Sequence, residues 1–415
     1  MGMPVAFAIG IAGAVFFLQN PQLPFTMIIQ LAISQTQNFP LLAIPLFIFA
    51  ANLMNETGIT YRLIRLAAVL AGHMRGGLAQ TNVVLSTLMG GVSGSAIADA
   101  AMEARILGTE MIKKGFSKGY TTSVTTITAC IAPVIPPSIG LILYGTIGEV
   151  SIGRLFTAGV VPGLLMMVFL MTTVSITSKK KRYLPERKRA SLKEVVIALI
   201  DSIWALFFPI ALIGGIRFGL FTPTEAGAFA GVYAFAVGAL FYRELTWEKF
   251  KRTLEVTIVD IGSIMLIIAF SGIFGYGLAY ERAGDAFSRF MLGITHNPQI
   301  LLLLVVVAVF IAGMFIESTA IILLFTAILL PLVSEVGVDP VHFGIVFMLV
   351  VVLGLVTPPV GISMYTTCSI LNCPVEDYIK ECIPFIVAIM LVNIILIFLP
   401  DVVLFLPNLV FGKVY

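Results

Sequence analysis

Two pairs of adjacent prolines interrupt long apolar stretches: Pro136 and Pro137 in "TACIAPVIPPSIG", and Pro358 and Pro359 in "LGLVTPPVGISMYTT". A proline inside a helix removes one hydrogen bond and clashes with the preceding turn, at about 3 kcal/mol. The residue before it is also pushed out of helical geometry. In an apolar interior each freed backbone group adds a desolvation cost of its own. Such a break is tolerated where it is buried in protein or lines a cavity, and there the released oxygens and helix ends become ligands. Carbonyl and hydroxyl oxygens suit a hard monovalent cation, and half-helix N-termini suit an anion.

A short polar tip stands upstream of each break. The first is "GVSGSA", with Ser93 and Ser95, and the second is "IEST", with Glu317, Ser318 and Thr319. Asp99 lies just beyond the first tip. A carboxylate at membrane depth is costly and marks a functional position by default, although Asp99 and Glu317 can equally cap a helix or pair structurally. Ser93 and Ser95 are small enough to serve close packing, but their glycine-rich surroundings favour a ligand role. The pattern predicts two pseudo-symmetric cation sites with an organic anion between them. The candidates for the anion are Ser95, Asp99, Glu317, Ser318, Thr319 and Thr357.

Each tip joins two apolar limbs of about 16 residues, or roughly 24 Å at 1.5 Å per residue. That falls short of a ~30 Å hydrocarbon core, so each pair of limbs reads as a re-entrant hairpin and not as two full spans. Each hairpin then leads into a helix broken at a double proline. The two constellations are copies. A shift of 222 residues aligns 91–137 with 313–359 without a gap, matching Gly91 with Gly313, Ala98 with Ala320, Gly115 with Gly337, and both double prolines. Glycine and proline matches carry weight because each residue fixes a special backbone state.

Composition sets the environment. Hydrophobic residues make up 59% of the 415 and charged residues 11%, with a mean hydropathy of +1.05. A soluble domain is nearer a quarter charged. Apolar runs recur from end to end, many of the ~17–25 residues that cross a bilayer. The chain is therefore expected to be an all-α polytopic membrane protein lying in a lipid bilayer. "MGMPVAFAIG" lacks a signal peptide's basic start and cleavage site and is expected to be a first span.

Short loops rich in lysine and arginine stay cytoplasmic, which puts "SKKKRYLPERKRAS" (178–191) inside. The segment near 195–217 then runs outward to "GLFTPTEAG", 225–241 returns, and 254–279 goes out again. "EMIKKGFSKG" is basic and "SEVGVDP" is acidic. These equivalent loops of the two copies thus face opposite compartments, the mark of an inverted-topology repeat in secondary transporters. Arg62, Arg65 and Arg75 suggest a helix along the cytoplasmic surface. Glu225 in "FTPTEAG" reads as an acidic first turn of a helix begun at Thr222 and Pro223. Arg154, at a segment end, reads first as a topology marker.

Other chemistries find little support. The net charge of +3 gives no reason to expect a nucleic-acid partner. Cys130, Cys368, Cys373 and Cys382 sit in apolar context and are expected to be packing residues. His73, His296 and His342 are too scattered for a metal site. No phosphate-binding loop, H-E-x-x-H or G-x-S-x-G motif occurs, so an enzyme is the weakest reading.

Taken together, "GVSGSAIADA", "IAPVIPPSIGLILYG", "GLFTPTEAGAFAGVY", "GMFIESTA", "DPVHFGIVF" and "LGLVTPPVGISMYTT" resemble one family over essentially the whole chain. It is the large membrane subunit of tripartite ATP-independent periplasmic (TRAP) transporters. The resemblance implies an elevator-type secondary transporter of the bacterial inner membrane that imports a carboxylate-type organic anion by sodium symport. It implies a periplasmic solute-binding protein and a small four-helix membrane subunit, expected as a separate chain, as partners. It also implies a longer apolar lead at the N-terminus than is found here.

On the matching positions, Na+ ligands would come from Ser93 and Ser95 with carbonyls near Ala132, Ile135 and Pro137. A second set would be Glu317 and Thr319 with Gly354, Thr357 and Pro359. The expected organisation is scaffold and first arm helix over 1–76, a first transport half over 77–177, and a basic loop over 178–193. Scaffold and second arm helix follow over 194–298, then a second transport half over 299–415. A stand-alone Na+-coupled divalent-anion symporter of related fold is the competing transport reading, and a channel the reading from another class. The solute could be a C4-dicarboxylate, a keto acid or a sugar acid.

Overall fold

In the computed structural model residues 3–413 are described, and among them every regular element is helical. Six helices are long and apolar enough to cross a bilayer: Phe39–Glu56, Ile152–Lys181, Pro223–Phe241, Trp247–Tyr280, Ser318–Glu335 and Val375–Phe398. The other apolar runs are divided into shorter pieces, because prolines, glycines and polar tips cut them. The outer surface is itself apolar. Ile258, Val259 and Val232 are each 67–70% exposed, which water would not favour over so wide an area but lipid would cover.

The segment expected as one span near 195–217 is instead two helices, Leu192–Asp201 and Ile203–Arg217, bent by 60° at Ser202. Polar anchors hold the bend. Arg65 pairs with Asp201 at 2.8 Å, Tyr242 donates to the Asp201 carbonyl, and Ser202 Oγ donates to the Arg62 carbonyl. The first piece therefore lies beside the amphipathic helix Ile59–Ala71, and only the second continues the apolar path. Helix Ile152–Lys181 runs into the basic stretch and stops where Arg182 turns to a φ of +60°.

Two peripheral layers close by small residues against larger ones. Helix Val5–Gln19 lies on Trp247–Tyr280, with Gly10 against Phe270, Gly13 against Ile273 and Phe17 stacked on Tyr276. Helix Ala43–Glu56 lies on Pro223–Ala236, where Gly227 meets Leu46 and Phe47. Close approach of this kind is how helices associate where lipid removes the hydrophobic drive. Thr222 and Glu225 form a reciprocal cap at the start of Pro223–Ala236, as the Thr-Pro-x-Glu order predicts.

The inner body contains the same order of elements twice. The first copy runs from Gly77–Gly90 through a turn to Ala96–Glu103. A π-helical stretch continues that helix over 104–108 and Thr109–Lys113 completes it. Lys118–Thr128 follows, then a break and Ile139–Ile147. The second copy runs from Pro298–Gly313 through a turn to Ser318–Glu335, then Pro340–Gly354, a break and Ile362–Leu371. The long helices Ile152–Lys181 and Val375–Phe398 close the two copies. Both Pro–Pro bonds are cis.

Arg154 does not stand free at a segment end. It is 8% exposed, and its guanidinium donates to the Gly412 carbonyl at 2.8 Å and to Asn408 Oδ1 at 2.9 Å. It therefore caps the helix Pro400–Phe411, whose last carbonyls have no helical donors of their own. Arg154→Met should cost roughly 1–3 kcal/mol and release that helix. Limited proteolysis of the purified protein should then cut near residue 400, whereas Arg154→Lys, which keeps one donor, should resist longer.

Candidate functional site

At the first tip the chain leaves helix Gly77–Gly90, turns through Val92 to Gly94, and re-enters a helix at Ser95. The Ser95 hydroxyl accepts from Ala98 N–H, while Ser95 N–H donates to Ser93 Oγ. Gly94 has a φ of +62°, and any Cβ there would run into the Pro137 carbonyl oxygen. Glycine is thus required twice over, for its backbone angle and for the approach. The tip is seated directly on the double-proline break.

Around that break the regular bonding pattern lapses. Val134 and Ile135 both donate to Ile131, the prolines have no N–H, and Ser138 restarts the helix by accepting from Leu141 N–H. The carbonyls of Ala132, Ile135 and Pro137 accept no backbone hydrogen bond across the break. Oxygens of that kind, at a break on which the Ser93–Ser95 tip is seated through Gly94, are of the type that suits a small hard cation.

The second tip repeats the device with different chemistry. Glu317 caps helix Ser318–Glu335: Oε2 accepts from Thr319 N–H at 2.8 Å and Ala320 N–H at 3.3 Å. Its Oε1 accepts from the hydroxyls of Ser318 and Thr319 at 2.8 and 3.0 Å. Met314, at this tip, accepts from Val360 and Gly361 N–H just past the second double proline. Gly313 also packs on Gly354 backbone to backbone. Each tip is therefore stitched to the break of its own half. The halves touch too: Cys130 Sγ donates to the Val352 carbonyl, and Thr126 and Thr367 bond through their hydroxyls.

The two tips meet in one cavity of about 470 Å3, whose walls include Ser93, Ser95, Glu317, Ser318 and Thr319. The other residues singled out from the sequence stand behind or beside it. Ala132, Ile135 and Pro137 form the support under the first tip, and Gly354 lies covered by Gly313. The Thr357 hydroxyl donates to the Leu353 carbonyl. Pro359 is exposed where its counterpart Pro137 is buried. Asp99 is fully buried one turn into the helix that begins at the first tip, with the Ser93 hydroxyl of the cavity wall as its neighbouring donor.

Several further polar groups at the site carry only weak signals in the sequence. Glu103, one turn after Asp99, is fully buried and accepts from Asn82 Nδ2 at 2.9 Å and Ser86 Oγ at 2.8 Å. Asn82 Nδ2 also bonds Thr128 Oγ1, so this network ties the hairpin to the helix that breaks. The i, i+4 spacing of two acids in "IADAAMEA" was the available signal. The wall facing the tips supplies Asn52, Asn55, Asp260 and Ser263, from Ala43–Glu56 and Trp247–Tyr280. For these the signal was Asp260, the last and deepest of three carboxylates along a 34-residue helix whose remainder is apolar, since a carboxylate at membrane depth marks a functional position. Among the described residues no three His, Cys, Asp or Glu side chains converge as a metal site would require. His342 instead bonds the Leu396 carbonyl.

The family model described as "Tripartite ATP-independent periplasmic transporter, DctM component" matches residues 1–402. The chain belongs to that family. It is the large membrane subunit of a TRAP transporter, a multi-pass transport protein and not an enzyme. It is 34% identical over 411 residues to the sialic acid TRAP transporter large permease protein SiaM of Vibrio cholerae, covering 99% of this chain and 96% of that one. To the 2,3-diketo-L-gulonate large permease protein YiaN of Escherichia coli it is 32% identical, covering 97% and 95%. The C4-dicarboxylate large permease protein DctM of Pseudomonas aeruginosa is 33% identical, covering 97% and 94%.

Among solved structures the TRAP subunit shares its fold with the YdaH transporter of Alcanivorax borkumensis, at a TM-score of 0.64 and 13% identity, covering 90% and 87% of the chains. MtrF of Neisseria gonorrhoeae gives 0.61 at 11% identity, covering 90% and 83%.

The seating of the first tip is open to a direct test. Gly94→Ala forces both an unfavourable backbone angle and a collision with Pro137, and should cost on the order of 1–3 kcal/mol. At Gly115, where φ is +88° and a Cβ meets nothing within 4 Å, alanine carries only the backbone part. Thermal unfolding in detergent should rank Gly94→Ala well below Gly115→Ala. Equal midpoints would mean that the tip is not held against the break.

Proposed function

We propose that this subunit imports a carboxylate-type organic anion across the bacterial inner membrane by sodium symport. A periplasmic solute-binding protein delivers the solute and a small four-helix membrane subunit completes the complex. The carrying observation is the cavity between the tips. Its walls carry hydroxyls, backbone oxygens, helix starts and the carboxylates of Asp260 and Glu317, but among the described residues no lysine or arginine. An anion there has no fixed positive partner, and unpaired charge away from water is strongly disfavoured. A cation that enters with the anion supplies the missing charge, and the oxygen donors behind each tip suit Na+. Three relatives bear names that specify sialic acid, 2,3-diketo-L-gulonate and C4-dicarboxylate. All three are organic acids.

Alternating access follows from the doubled architecture. Position 130 corresponds to 352 under the 222-residue shift, and Cys130 bonds Val352. A residue touching its own counterpart is the contact a two-fold relation produces. This supports an inverted-topology repeat with two re-entrant hairpins and two broken helices. The paired tips and breaks then form the moving unit of an elevator, sliding along the peripheral layers as the scaffold. In this mechanism Na+ joins the oxygens of Ser93, Ser95, Ala132, Ile135 and Pro137 in one half. In the other it joins Glu317, Thr319, Gly354, Thr357 and Pro359. The solute sits between Ser95 and the Ser318–Thr319 start, with Asp99 and Thr357 close behind.

Two measurements test this. In proteoliposomes the full complex should accumulate solute only with an inward sodium gradient and loaded binding protein. Uptake that ignores sodium would refute symport, and uptake without the binding protein would favour the stand-alone symporter. Ser95→Leu and Thr357→Leu should each raise the half-saturating sodium concentration on the order of tenfold before expression falls. Unchanged sodium activation in both would displace the proposed ion sites.

A further inference from the structure

The proposed transport reading leaves the class of acid open, and the wall opposite the tips narrows it. We infer that Asp260 selects a solute with one carboxylate and a hydroxylated chain, a polyhydroxy monocarboxylate of the sugar-acid type, over a dicarboxylate.

The two walls of the cavity are chemically unlike. On the tip side both oxygens of Glu317 accept from its own helix start, which holds the carboxylate in place. Caps take Ala98, Thr319 and Ala320 N–H, so that side offers the N–H groups of Ala96, Ile97 and Ser318, first-turn donors with no acceptor within their helices. It suits the carboxylate end of a solute accompanied by cations. The facing wall carries Asp260, whose Oδ2 accepts from Asn52 Nδ2 at 2.9 Å. Asn52 Nδ2 also lies 3.2 Å from Thr257 Oγ1, which fixes the amide. Among the described residues nothing donates to Asp260 Oδ1, and Asp260 is half-buried at the cavity wall.

An open carboxylate oxygen can only accept hydrogen bonds while ionised. A second carboxylate on the solute would meet it as a like charge, with no basic side chain in the walls to intervene. Solute hydroxyls are donors and satisfy it, and the amides of Asn52 and Asn55 and the hydroxyl of Ser263 serve the same chain. A site built to bond hydroxyls also discriminates strongly against analogues that lack them. At about 470 Å3 the cavity has room for a six-carbon acid.

This inference rests on the carboxylate-carrier reading, and one experiment separates the two. The purified complex in detergent, in saturating NaCl, is titrated with D-gluconate, D-glucuronate and succinate while the unfolding midpoint is followed. A sugar acid should bind the wild type at least roughly tenfold more tightly than succinate, and Asp260→Asn should shrink that ratio severalfold. Succinate binding as tightly as the sugar acids in the wild type overturns the inference and leaves the carrier reading intact. So does a ratio unchanged by Asp260→Asn in a variant that keeps the wild-type sodium shift. Binding of none of the three removes the inference together with the carboxylate reading.

Discussion

Backbone groups released inside an apolar body must find partners, and this protein is arranged around that constraint. The two double prolines take away helical donors where no water can replace them. A glycine-bearing tip is brought to each break. Gly94 closes on the Pro137 carbonyl, and Met314 accepts from Val360 and Gly361. Neither hairpin could shift without exposing the break beneath it. Tip and break thus behave as one piece, and two such pieces face each other across the cavity.

The supports behind the first tip are polar and fully buried. Glu103 gathers Asn82 and Ser86, Asn82 reaches Thr128, and Asp99 stands one turn away. Such a network rigidifies its surroundings when satisfied and is expensive when it is not. The second half uses a cheaper arrangement, a glutamate capping its own helix and two glycines in backbone contact. The pseudo-equivalent halves therefore match in backbone path but not in chemistry, and Pro359 lies exposed where Pro137 is buried. A cavity between unequal halves has distinguishable ends, which a carrier that must orient an asymmetric solute can use.

Much of this was readable from residue order. The doubled Pro–Pro signal, the Gly/Ser and Glu-Ser-Thr tips and the Thr-Pro-x-Glu cap each rest on local backbone chemistry, and each appears as a break, turn or cap at its expected place; the limb Ser318–Glu335, expected to be short, is by contrast long enough to cross a bilayer. Three features were not. Asp201 and Ser202 bend a segment that reads as continuous, because Arg65 and Tyr242 come from distant parts of the chain. Arg154 finds its partners more than 250 positions away, so no window of sequence shows that it caps a helix. Asp260, Asn52 and Asn55 lie in ordinary-looking apolar helices, and only packing turns them toward the tips.

Hydropathy and the special backbone states of glycine and proline, which act within a few residues, decided the helical membrane class, the repeat and the positions of the breaks. Motif similarity carried by those same residues decided the family. Which polar groups share a cavity was settled by the tertiary structure alone. The reason is physical: a side chain's partner in an apolar interior depends on which helix face packs against which. A helix of nearly uniform hydrophobicity, such as Pro340–Gly354, carries little record of that choice in its sequence.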